Sequence, residues 1–141
     1  MSRSFVEELR AGSGSLGERP TLTWDGGSLT WRELNSRADG VAARLAARGV
    51  VPGDRLALTI GNTPEFLVAL LAGWQLGVTV APLDTLLKED ERATILGDLS
   101  PAAVLDAADV SDPAGRGSGE ERDHGRPRRR PLHEARRRRG P

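Results

Sequence analysis

The chain has 141 residues, 20 basic against 20 acidic side chains and no cysteine. That length makes one small domain or part of a larger one. Without cysteine, disulfides, thiolate metal sites and a cysteine nucleophile are excluded.

The neutral total hides a division. Residues 1–110 carry 10 Arg and Lys against 15 Asp and Glu, a net of −5, whereas residues 111–141 carry 10 Arg against 5 Asp and Glu, a net of +5. The second segment holds both histidines, His124 and His133, and its one large aliphatic residue is Leu132. So little burial cannot offset the entropy of ordering a chain. The expected organisation is therefore an incomplete domain over 1–110 and a disordered Arg/Gly/Pro-rich tail over 111–141. The opening residues, Met1-Ser-Arg-Ser-Phe-Val-Glu-Glu8, place acids where a secretory signal needs an apolar core. No export is expected, and the location expected is the cytoplasm.

In chain order, residues 5–10 suit a short amphipathic helix that the Gly/Ser run at 12–17 ends. Strand-like residues 21–24 and 28–30 flank Asp25-Gly26-Gly27, which predicts a β-hairpin. Thr30 followed by Glu33 is a capping box, and Leu34, Ala38, Val41 and Leu45 recur at helical spacing until Gly49. Residues 55–60 predict a buried strand. Thr63 is a candidate N-cap with Pro64 at the first helical position, opening a helix over 64–76 that is apolar nearly all round and ends at Gly77. A strand over 78–81, a helix over 86–96 with Glu89, Asp90 and Glu91 near its start, and a short strand over 102–105 complete the series. Alternating strands and helices with short loops predict an α/β fold with a partial parallel sheet and right-handed crossovers, preceded by the hairpin. A sheet edge and an apolar helix face are expected to be left open.

The 18 uncharged residues from 66 to 83 just reach membrane-spanning length. Gly73, Gly77 and Pro82 interrupt them, and Val78, Thr79 and Val80 favour a strand, so a buried helix and strand fit and no transmembrane segment is expected.

Gly12-Ser-Gly14-Ser-Leu-Gly17 matches the dinucleotide fingerprint by letter, but that chemistry needs a strand before the loop and a helix after it. Here the loop leads into a hairpin and is read as surface. The single lysine, Lys88, sits beside three acids and is read as a solvated helix face. Both histidines lie in the basic segment, away from any apolar pocket, so neither a His-based metal site nor a Ser/His/Asp triad is expected. Asp54 reads as a turn carboxylate and Asp84 as a candidate N-cap. Asn62 follows a parallel strand, where open α/β sheets place ligands, though a turn-forming Asn beside Gly61 is the more ordinary account. Trp24, Trp31 and Trp74 read as packing residues.

Several segments, in order, resemble the opening of the adenylate-forming synthetase superfamily, which takes in acyl-CoA synthetases, luciferases and peptide-synthetase adenylation domains. Leu29-Thr-Trp-Arg-Glu-Leu34 resembles its L-T-Y-x-E-L segment, and Gly49-Val-Val-Pro-Gly-Asp-Arg-Leu-Ala-Leu58 its G-V-x-x-G-D-x-V-A strand entry. Asn62-Thr-Pro-Glu-Phe66 is similar to an N-x-x-E helix start, and residues 71–84 to x-A-x-x-x-G-x-V-x-V-P-L-N/D. Residues 87–91 and 99–105 are similar to the fatty-acyl-CoA synthetase branch. The resemblance covers residues 20–107.

It implies a two-step reaction. A carboxylate attacks ATP to give an acyl-adenylate and pyrophosphate, and a thiol, often coenzyme A, then displaces AMP, with magnesium as the family's metal. The family's phosphate loop ending Pro-Lys, its ribose-binding aspartate and its C-terminal lysine have no counterpart in this sequence. No catalytic, cofactor-binding or metal-binding residue is therefore assigned, and the chain alone is expected to be inactive. Beyond Val110 the sequence stops resembling the family; 19 of 20 basic residues being Arg suggests GC-rich DNA, and the Arg/Gly/Pro-rich segment is read as the mark of a frameshifted or truncated gene. The alternative, a nucleic-acid-binding protein acting through Arg128-Arg-Arg130 and Arg136-Arg-Arg-Arg139, is disfavoured by the acidic remainder.

Overall fold

A computed structural model describes residues 17–111 together with Glu7, Glu8, Ala11 and Gly14. Of the helix expected at 5–10, Glu7 and Glu8 are described and helical. Gly14 is helical too, where a loop was expected, and the rest of the glycine-rich run before Gly17 lies outside the described residues, as does the arginine-rich segment beyond Ser111.

Strands β1 (Pro20–Trp24) and β2 (Gly27–Thr30) pair antiparallel around Asp25 and Gly26 as the expected hairpin, with Trp24 opposite Gly27. Thr30 then caps α1 (Trp31–Ala47). Its hydroxyl accepts from the Glu33 N–H at 3.2 Å, and its own N–H donates to the Glu33 carboxylate at 2.8 Å. Both halves of the predicted box are made. The predicted stripe is buried with Ala42 added to it, and the helix stops at Gly49, whose φ of 85° is the left-handed conformation that glycine takes without a Cβ penalty.

Strand β3 (Arg55–Leu58) is shorter than the expected 55–60, although Thr59 still donates its N–H to the Leu105 carbonyl at 2.9 Å. Helix α2 (Pro64–Leu76) starts on proline, as predicted. Thr63 precedes it in extended conformation but makes no side-chain cap bond to the helix. Val68, Ala69, Leu71, Ala72 and Gly73 are buried, whereas Trp74 is 38% exposed, so the helix is not enclosed all round. Among the described glycines Gly73 has the least room: a Cβ there would lie 2.5 Å from Val80 Cγ2.

Strand β4 (Thr79–Pro82) follows, then α3 (Glu89–Leu99), β5 (Ala103–Leu105) and the short α4 (Ala107–Ser111). Helix α3 begins three residues later than expected, and Asp84 is not its N-cap. The Asp84 carboxylate instead accepts the Leu86 N–H at 2.9 Å, closing a separate turn, and Lys88 takes the cap position in extended backbone. None of the eleven residues of α3 is buried.

β3 is central, flanked in parallel by β4 and β5, with Leu58 opposite both Pro82 and Leu105. Leu56 and Leu58 from the sheet, Leu34, Val41 and Leu45 from α1, and Val68 and Leu71 from α2 form one core. The expected α/β architecture is thus present. Among the described residues, β4 and β5 are open edges, and no helix is long and apolar enough to cross a membrane.

Candidate functional site

Parallel strands bring all their carboxyl ends to one side, and the loops that leave them must turn there. Two such loops frame a cavity of about 270 Å³, lined by Ile60, Gly61 and Asn62 after β3, Phe66 from α2, and Leu83, Asp84 and Thr85 after β4. The backbone fixes these loops to the sheet. Leu83 donates its N–H to Leu58 O at 2.8 Å, and Thr63 donates to Gly61 O at 2.8 Å. Ile60 is buried at the base, Phe66 and Leu83 are half-buried at the sides, and Asn62, Asp84 and Thr85 are exposed at the mouth.

The cavity offers an apolar wall, one amide, one carboxylate and one hydroxyl. One Asp84 oxygen is already engaged by Leu86. These groups suit hydrogen bonding to a small ligand. They do not suit a nucleotide triphosphate, because no Arg or Lys is among the lining residues to counter its charge and Asp84 would oppose it. Nor do the described residues contain a group of three His, Asp or Glu side chains able to hold a metal ion.

Just outside the mouth, Glu65 has its carboxyl held below the usual carboxylate range, chiefly by the Thr63 hydroxyl. Its own backbone N–H, Ser111 and the positive charge of Arg37 act in the same direction, against a raising effect of burial.

Of the residues weighed from sequence, Asn62 and Asp84 meet at this cavity. Asp54 lies at the opposite end of β3, where its carboxylate accepts the Val51 N–H at 3.0 Å as a turn residue. Lys88 is exposed at the start of α3, away from the cavity lining. Trp31 packs against the core, while Trp24 and Trp74 are more than one-third exposed. Ile60, Phe66, Leu83 and Thr85 were not singled out from sequence. The rule that parallel sheets place cavities beyond their carboxyl ends points to both loops once β3 and β4 are paired.

The sequence pattern of the AMP-binding enzyme family matches residues 10–133 of the chain, so the match crosses residue 110. Malpinin synthetase of Mortierella alpina is 38% identical over 89 residues, 63% of this chain and 1% of that one. The 2-succinylbenzoate–CoA ligase of Escherichia coli K12 is 38% identical over 96 residues, 68% of this chain and 20% of the ligase. A crystal structure of a benzoate CoA ligase from Burkholderia xenovorans LB400 superposes with a TM-score of 0.68 at 28% identity, covering 73% of this chain and 21% of that one. The chain therefore spans a fifth or less of the length of these curated relatives. With the motifs in order and the fold shared, the chain belongs to the AMP-binding enzyme family, whose members form adenylates.

Proposed function

We propose that residues 1–110 are an N-terminal portion of an ATP-dependent acid–thiol ligase, which activates a carboxylic acid as its acyl-adenylate and passes it to coenzyme A. The observation that carries this reading is the 38% identity to a CoA ligase over 96 residues, joined to the family match. In this reading the segment supplies framework: the hairpin, the α1–α2 layer and the first three parallel strands. Chemistry on ATP, with magnesium, falls to residues this chain does not have. Its one lysine, Lys88, follows Leu87 and cannot end a Pro-Lys phosphate loop. The location proposed is the cytoplasm, supported by the acidic residues among the first eight, where a secretory signal needs an apolar core.

The acid is proposed to be a fatty acid, on the similarity of residues 87–91 and 99–105 to the fatty-acyl branch. The relatives named above carry 2-succinylbenzoate and benzoate in their own names, so those acids belong in the same test.

Two measurements test the reading. The purified chain, given ATP, magnesium and a panel of fatty and aromatic acids, is expected to give no acid-dependent pyrophosphate exchange. Exchange with any of them would overturn the assignment of ATP chemistry to other residues. Residues 20–107 placed into the E. coli 2-succinylbenzoate–CoA ligase, in exchange for the segment they match, are expected to leave CoA ligation within about tenfold of the parent, a change of roughly 1.4 kcal/mol in barrier. A folded chimera without activity would sink the framework role.

A further inference from the structure

Helix α4 is five residues long, and none of them is buried. Ala107 and Val110 are partly covered where they rest on the core, which is little apolar area to hold a helix too short to be stable alone. Polar contacts hold it instead. Asp106 and Asp109 cap each other, each backbone N–H donating to the other's carboxylate at 3.0 and 2.9 Å. From α1, Arg44 Nη2 donates to the Asp109 carbonyl at 3.1 Å. From α4 itself, the Ser111 hydroxyl donates to Glu65 Oε1 at the start of α2, at 3.2 Å.

Glu65 stands between two neighbourhoods. On one side it takes Ser111, and on the other its backbone lies within the turn that the Phe66 N–H closes on the Thr63 carbonyl at 3.0 Å. Thr63 adjoins Asn62 and Glu65 adjoins Phe66, both of which line the cavity. A single carboxylate thus connects α4 to the loop that forms one rim of the cavity. We propose that α4 is a clasp laid over α1 and α2, that the Glu65 carboxylate is its catch, and that opening the clasp loosens the rim at residues 61–63.

The charges around the catch set its pH response. Arg37 from α1 faces Glu65 as a cation, Thr63 and Ser111 face it as hydroxyls, and Arg44, Asp106 and Asp109 hold the remainder of α4. A carboxyl whose folded pKa is depressed contributes stability that is present above the ordinary carboxylate range and lost as pH falls through the folded value. The clasp is therefore held most firmly at neutral pH and weakens as pH falls below the ordinary carboxylate range.

Amide hydrogen exchange on the full chain, corrected for intrinsic rates, tests this. In Glu65→Gln the amides of residues 107–111 and of residues 61–63 are expected to lose about tenfold of their protection, the scale of one charge-assisted hydrogen bond. Those of residues 68–72, inside α2, are expected to be unchanged. Ser111→Ala is expected to give a smaller loss at 107–111. In wild type the same amides are expected to open as the pH is lowered, and in Glu65→Gln that dependence is expected to flatten. Unchanged protection at 107–111 in both variants would overturn the clasp, and so would equal losses in all three groups. If Glu65→Gln does not fold, Ser111→Ala alone decides, and unchanged protection there overturns the proposal.

Discussion

Helices α1 and α3 begin with similar local signals and end in different circumstances. Each has a glutamate three residues after its cap, and each carries acid in its first turn. Yet α1 buries Leu34, Ala38, Val41, Ala42 and Leu45 in the core, while α3 has no fully buried residue, only half-buried Arg92, Leu96 and Leu99, and leaves Ile95 38% exposed. Capping and propensity decide where a helix starts. Burial decides how firmly it is held, since most helical stability in proteins comes from packing an apolar face. The Leu45→Ala variant is expected to cost about 2–5 kcal/mol, because it empties a site that is 1% exposed. Ile95→Ala is expected to stay within about 0.5 kcal/mol, as for surface positions generally. Urea unfolding of both variants checks the contrast, and an Ile95→Ala cost comparable to that of Leu45→Ala would erase it.

The contact between α2 and β4 sharpens the same comparison. Helix α2 reaches the sheet closely because Gly73 has no Cβ to meet Val80. In Gly73→Ala the new methyl would sit 2.5 Å from Val80 Cγ2 and 3.4 Å from Leu56 Cδ2. Both neighbours are held in packed surroundings, so the expected cost is about 1–3 kcal/mol, typical of overpacking. Combining it with Val80→Ala should recover part of that loss, because the clash is with the valine methyl. Helix α3 has its own glycine, Gly97, where an added methyl group would meet no atom within 4 Å, and Gly97→Ala should be neutral or slightly stabilising by helix propensity. Thermal melts of the three variants order them, and a harmless Gly73→Ala would show that the helix can shift away from the sheet.

Much of this fold was legible because its signals are local. The Thr30/Glu33 box, the stripe at Leu34, Ala38, Val41 and Leu45, and the glycines at 49 and 77 each state a boundary or a face within a few residues. The start of α3 was misplaced because Asp84 has two uses for its carboxylate, and the turn to Leu86 prevailed over a cap. Strand β3 came out shorter because β-branched Thr59 and Ile60 suit a strand, yet the register with β4 and β5 ends at Leu58, beyond which one further backbone bond, from Thr59 to Leu105, is made. The cavity was half legible. Asn62 could be placed after a strand, but Phe66 and Leu83 look like any core residues until the sheet order puts their loops together. The Glu65 connection was invisible, since it joins positions 46 apart that no local pattern relates.

The finest difference between the two helices lies at their caps. On α1, Thr30 supplies an oxygen to the Glu33 N–H, so Thr30→Ala is expected to cost about 1 kcal/mol. On α3 only the return half of the box is made: the Glu91 carboxylate accepts the Lys88 N–H at 3.0 Å. A lysine side chain has no acceptor to offer the first turn, and its charge opposes the positive end of the helix dipole. Lys88 already has the extended backbone a cap requires, at φ −66° and ψ 158°. Lys88→Ser should therefore complete the box and stabilise α3 by about 0.5–1 kcal/mol. Because α3 has no fully buried residue, that gain should appear as slower amide exchange within residues 89–99 and scarcely in the global melting temperature. Thr30→Ala, by contrast, should lower the melting temperature itself, since α1 cannot fray without uncovering the core. A rise in melting temperature for Lys88→Ser as large as the fall for Thr30→Ala would mean that α3 is coupled to the core as tightly as α1, through contacts its exposed surface does not display.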